Sequence, residues 1–161
     1  MVKFLNRLGS MVYALVENLM FYALLGMVIL VTLNVFLRYA MNSGITQSEE
    51  LARYLFVWTV FMGAIIAFKE KKHVSVDILV SRLVGIPKKT VKILTYSFII
   101  VACGVMLVGG TAFTQLSAGS LGPATKIPFS YVSIAYVVSA LIMGVMAIIE
   151  IINLVFKGET K

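Results

Sequence analysis

Apolar residues fall in four long blocks, at about residues 17–37, 51–68, 91–113 and 129–149, separated by charged or turn-forming residues. Roughly 20 apolar residues are what a helix needs to cross a ~30 Å hydrocarbon core. Lipid offers backbone amides no partner, so only helices or closed barrels span it. No block alternates polar and apolar residues as a barrel strand does. The pattern predicts an all-α integral membrane protein, one membrane domain over 1–161 with four transmembrane helices.

Two shorter stretches carry helical periodicity without the length to cross. Val76, Leu79, Val80, Leu83 and Val84 share one helical face, with Asp77, Ser81 and Arg82 off it. This predicts an amphipathic helix over about 75–85, lying on membrane lipid and ended by Pro87. Residues 1–12 mix Lys3, Asn6 and Arg7 with Phe4, Leu5, Leu8, Met11 and Val12, which predicts a second short interfacial helix. Basic residues ahead of an apolar run also open a signal peptide. Here the run is long and lacks small-residue cleavage spacing, so it is expected to stay as an anchor.

The connections are legible from local chemistry. Met41 to Ile45 reads as a turn around Asn42, Ser43 and Gly44. Thr46 with Glu49 three residues on has the spacing of a capping box, and Glu49 to Arg53 is an i,i+4 ion pair in its better order. Residues 115–128, rich in Ser, Gly and Pro, read as the loop before the last span. Small residues four apart, Gly63/Ala67 and Ala140/Gly144, suggest close helix contacts.

Composition narrows the class and charge orients it. The 161 residues are 60% hydrophobic and 13% charged, with mean hydropathy +0.99, which excludes a soluble domain. The net charge of +7 argues against nucleic acid as a partner once its placement is followed. Between Lys69 and Lys92 the chain carries five net positive charges, and Lys3 and Arg7 precede the first span. Cationic loops stay on the cytoplasmic side. Both termini and the basic loop are therefore expected in the cytoplasm, and residues 38–53 and 115–128 outside.

Candidate chemistry is sparse. The lone Cys103 lies in an apolar block and reads as packing, and one histidine, His73, leaves no paired haem ligands. Nothing has metal-ligand, phosphate-loop or nucleophile–base spacing, so neither an enzyme nor a cofactor is expected. An ionisable residue deep in a bilayer would mark a transport path. Glu17 and Glu150 fall close to the cytoplasmic interface, while Arg38, Glu49, Glu50 and Arg53 gather at the outer one. That cluster reads either as an internal link between the first two helices, with Arg38 within ion-pair reach of Glu49 or Glu50, or as a docking site for another subunit.

The order of motifs carries a resemblance. Asn34-Val35-Phe36-Leu37-Arg38-Tyr39 is followed by Ser48-Glu49-Glu50-Leu51-Ala52-Arg53-Tyr54, then Gly63-Ala64, then His73-Val74-Ser75-Val76-Asp77. This resembles the small membrane subunit of tripartite ATP-independent periplasmic (TRAP) transporters, and Pro123 with Thr125-Lys126-Ile127-Pro128 resembles that family's loop before the last helix. The fourth span departs from the pattern, lacking a proline near Ala135-Tyr136.

The resemblance implies a multi-pass subunit of the bacterial inner membrane, a scaffold without catalytic or metal residues. Its partners would be a large membrane subunit, holding the sodium and substrate sites, and a periplasmic substrate-binding protein. The cargo would be an organic acid, sialic acid or a C4-dicarboxylate. Asn34, Arg38, Glu49, Glu50, Arg53, His73 and Asp77 become the candidate structural or subunit-contact residues. The competing reading is a self-contained four-helix homo-oligomeric transporter or channel, for which Glu17 would be the working carboxylate. A quinone- or haem-linked anchor subunit is disfavoured by the single histidine.

Overall fold

The computed structural model describes residues 2–70 and 86–156, with side-chain surroundings from residues 11 and 89 onward in the two stretches. The helix expected over about 75–85, His73 and Asp77 lie outside the described residues. Four helices make up the rest: α1 (Val2–Ala40), α2 (Thr46–Lys69), α3 (Ile86–Ser117) and α4 (Ser130–Phe156). All four are long and apolar enough to cross a membrane. The extended structure among the described residues is one isolated bridge, Leu121 to Pro128.

The helices outrun the apolar blocks. α1 has 39 residues and runs without a break through the segment expected to be a separate interfacial helix. A lone Gly9 followed by Ser10 is too weak a breaker to stop it, since Gly costs a helix only about 1 kcal/mol relative to Ala. α4 continues from Ile149 through Glu150 to Phe156, because one carboxylate among Ile151, Ile152, Leu154 and Val155 does not end a helix. It also passes straight through Ala135 and Tyr136, as a stretch without proline should.

Close approaches run in the order α1–α2–α4–α3, so α1 and α3 each have one near neighbour along the described backbone. Two hairpins, α1/α2 and α3/α4, are thus joined through α2 and α4. Small residues set the spacing. Ala140 and Ala147 on α4 are fully buried, and a Cβ at Gly144 would sit 3.4 Å from the Cβ of buried Cys103. The Ala140/Gly144 pair therefore does mark a tight contact, and Cys103 is packing. Gly63 is looser, with the nearest atom, Met20 Sδ, at 3.7 Å from a notional Cβ. Among the described residues Gly110 is the tightest helical glycine: a Cβ there would lie 2.5 Å from Tyr136 Cε2 and 2.9 Å from Val137 Cγ2. Tyr136 lies across that notch, donates its hydroxyl to the Gly110 carbonyl at 3.3 Å, and stacks obliquely near Phe61 of α2 at 5.9 Å. One aromatic thus ties three helices together.

Candidate functional site

The polar residues collect where α2 begins, beside the α3–α4 loop. Glu50 is in the second turn of α2 and is only 7% exposed. A carboxylate so placed needs hydrogen bonds to replace water. It has them: Oε2 accepts the amides of Ala124 at 2.8 Å and Thr125 at 3.0 Å, while Oε1 accepts the hydroxyls of Thr125 at 3.0 Å and of Tyr54. Gly122 lies directly on this carboxylate, since a Cβ there would land on Glu50 Oε1 and Tyr54 Oη.

The loop is folded onto itself as well as onto Glu50. The Gly122 amide donates to the Ile127 carbonyl at 2.9 Å, and the Lys126 amide returns to the Gly122 carbonyl at 3.0 Å. Lys126 takes a left-handed backbone, φ 60°, to close that turn. Phe129 then donates its amide to the Ser120 carbonyl at 2.9 Å and sets its ring edge-on to Tyr54 at 5.8 Å. One turn further along α2, Trp58 Nε1 donates to the Tyr131 carbonyl at 3.2 Å. Glu50, Tyr54 and Trp58 are four residues apart, which puts all three on one face of α2. That face holds the loop and the start of α4.

The α1–α2 turn is anchored differently from expectation. The residue before α2 is Ile45, with extended backbone, and no side chain caps the helix. Thr46 and Glu49 therefore do not form a capping box: Thr46 is already helical, and Glu49 is taken by Arg53 Nη2 at 2.7 Å. Asn34 of α1 supplies the missing acceptor, its Oδ1 receiving the Ile45 amide at 2.8 Å. Asn42 helps turn the chain with a left-handed φ of 49°.

Five of the seven candidate residues are thereby placed. Glu49 and Arg53 form an exposed i,i+4 pair as the spacing required. Asn34 and Glu50 each fix a loop. Arg38 is exposed at the end of α1 and makes no ion pair with either carboxylate, contrary to the expected link between α1 and α2. The reason is competition, because Glu50 is committed to the loop and Glu49 to Arg53. Sequence reasoning left out Tyr54, Trp58, Gly122 and Thr125 as working parts of this site. The i,i+4,i+8 polar–aromatic spacing on α2 was the available signal.

At the opposite end a second polar contact joins α1 to α2. Tyr13 donates its hydroxyl to Glu70 Oε1 at 3.0 Å, and Lys69 Nζ stands 3.5 Å above the Tyr13 ring. Among the described residues no three His, Cys, Asp or Glu side chains converge as metal ligands would.

Comparison with known proteins fits this architecture. Residues 27–157 match the family described as tripartite ATP-independent periplasmic transporters, DctQ component. A protein of Haemophilus influenzae named as a TRAP transporter small permease is 36% identical over 138 residues, covering 84% of this chain and 86% of its own length. A second protein of that organism with the same name is 36% identical over 124 residues, 77% of this chain and 75% of its own. The C4-dicarboxylate TRAP transporter small permease protein DctQ of Vibrio cholerae is 30% identical over 98 residues, 61% of this chain and 40% of that protein.

Proposed function

The chain belongs to the DctQ family, the small permease component of TRAP transporters, and from that premise we propose that it is the scaffold subunit of a sodium-coupled organic-acid importer. It is a multi-pass protein of the bacterial inner membrane. In this reading a large membrane subunit carries the sodium and the substrate, and this chain packs against it and helps receive the periplasmic binding protein. The cargo is sialic acid or a C4-dicarboxylate, the latter being the substrate named for the Vibrio cholerae relative. The basic loop faces the cytoplasm, which puts residues 41–45 and 118–129 in the periplasm.

The observation that carries the reading is the outward face of α3. Leu94, Phe98, Val101, Val105 and Val108 recur at alternating steps of four and three residues and are 57–75% exposed. Such spacing is the seam of a left-handed helix–helix contact, and α4 occupies the other side of α3. Gly104 has open space at its Cβ position on the same helix, leaving room for close approach. A seam of this kind suits a partner helix better than it suits transport, since α3 carries no charged residue from Ile93 to Ser117. Arg38, Glu49, Glu50, Arg53 and Asn34 serve the periplasmic end, and His73 and Asp77 are assigned to the cytoplasmic loop.

The test is sodium-driven uptake of labelled organic acid into vesicles holding each combination of subunits. Uptake is expected only when the large subunit, this chain and the binding protein are all present. Uptake by this chain alone would replace the scaffold with a homo-oligomeric carrier.

A further inference from the structure

We infer that Glu50 is a positioning residue for the binding-protein encounter: it holds loop 118–129 as a fixed seat on which that soluble partner lands. The inference rests on the scaffold reading above and adds to it which loop receives the partner and what keeps that loop in place.

Three observations carry it. First, the Glu50 carboxylate spends three of its four hydrogen bonds on residues 124 and 125, more than seventy positions away, and one on Tyr54 in its own helix. α2 does not depend on those bonds, because a 24-residue helix is held by its own backbone hydrogen bonds. Second, the helix pairs are fastened elsewhere, α3 to α4 at Gly110 and at Cys103/Gly144, and α2 to α4 through Phe61 and Tyr136. Loss of the Glu50 contacts therefore loosens the loop at residues 122–125, where they brace it, and leaves the helices packed. Third, the loop is braced from inside while its tip faces outward. Gly122 is buried on the carboxylate, whereas Leu121, Pro123 and Lys126 beside it are exposed. A loop of fixed shape on a rigid scaffold is where binding surfaces are usually built. Holding it in one conformation before the encounter removes an ordering cost from association.

The consequence is specific to the encounter. A loosened seat weakens capture of the binding protein and leaves the later movement of substrate, which belongs to the large subunit, at its normal maximal rate. The experiment uses the complete transporter in vesicles, with uptake measured as the binding protein is titrated. Glu50→Ala is expected to raise the half-saturating binding-protein concentration about tenfold, equivalent to ~1.4 kcal/mol, with the maximal rate near wild type. Glu50→Gln keeps a carbonyl oxygen for the loop amides and should fall between Ala and wild type. Gly122→Ala pushes the loop off the carboxylate without changing any charge and should reproduce Glu50→Ala. The double variant should be no worse than either single one, because both act on the same contact.

Co-purification with the large subunit is measured for every variant. If Glu50→Ala does not assemble, Gly122→Ala and Thr125→Val carry the test. A half-saturating concentration unchanged in assembled variants would overturn the inference, as would a fall in maximal rate with no change in half-saturation. A wild-type transporter indifferent to the binding protein would instead sink the scaffold reading, so the two failures are separable.

Discussion

Gly122 lies against Glu50 so closely that no side chain can stand between them: a Cβ on the glycine would occupy the position of the carboxylate oxygen. Helix α2 and the α3–α4 loop are thus closely fitted to one another here, with the amides of Ala124 and Thr125 aimed at the other oxygen. The requirement is local. At Gly104 and Gly109 on α3 nothing lies within 4 Å of a notional Cβ.

That contrast gives a first prediction about the glycines of α3. Gly109→Ala should leave the thermal midpoint in detergent unchanged or raise it, since Ala exceeds Gly in helices by roughly 0.5–1 kcal/mol. Gly110→Ala, one residue on, should lower it, because the new methyl meets the Tyr136 ring and Val137. Equal behaviour of the two variants would mean that Tyr136 does not lie across α3 as described.

A second prediction concerns Asn34 and the Ile45 amide. Asn34→Leu removes the acceptor at the entry to α2 and should cost about 0.5–2 kcal/mol, the range for losing a helix cap. Asn34→Asp retains an acceptor oxygen and should cost less. Thr46→Val should be nearly silent, as the Thr46 side chain caps nothing. Thermal midpoints of the three purified variants decide this, and a Thr46→Val loss as large as that of Asn34→Leu would restore the capping box.

Much of this fold was readable from residue pattern, and the misreadings share a cause. Four apolar blocks announced four helices, and Ala140/Gly144 announced a tight contact, because both are properties of consecutive or i,i+4 residues. The Glu49–Arg53 pair was legible on the same ground. What escaped were contacts between distant segments. Glu50 reads as one more acid near a helix start, and only the return of residues 122–125 makes it a buried acceptor. Arg38 stands near Glu49 and Glu50 in sequence, yet both carboxylates have nearer claims. Asn34 accepting the Ile45 amide across eleven residues is the same kind of event, a short-range signal at Thr46 overridden by a tertiary one.

The exposed pair supplies a third prediction. Arg53→Ala and Glu49→Ala should each shift stability by no more than about 0–1 kcal/mol, since both side chains are more than half exposed and water competes for them. Raising the salt concentration should shrink the effect further. A large loss in the isolated chain would show that the pair does more than decorate the helix surface.

The fourth prediction addresses the seam on α3. Val101→Trp or Val105→Trp places bulk where the chain itself has open space, both positions being more than 60% exposed. The purified chain should keep its thermal midpoint, while co-purification with the large subunit should fall well below wild type. The same substitution at Cys103, which faces Gly144, should instead damage the isolated chain. Undiminished co-purification of both valine variants would move the partner surface to the other outer helix, α1.

The last prediction is orientation, on which the placing of both loops depends. Lys89 at the start of α3 and Lys126 at the tip of the α3–α4 loop are both exposed and lie toward opposite ends of α3. With Cys103 replaced by Ala, which keeps its buried site filled by a small apolar group, each lysine can be exchanged singly for cysteine. The cationic excess around residues 69–92 should hold that end in the cytoplasm, as positive charge near span ends does. A membrane-impermeant maleimide added to cells with a permeabilised outer membrane should therefore label Lys126→Cys and spare Lys89→Cys. Opening the inner membrane should make Lys89→Cys reactive. The reverse pattern would turn the molecule over, putting the Glu50-braced loop in the cytoplasm and out of reach of any periplasmic partner.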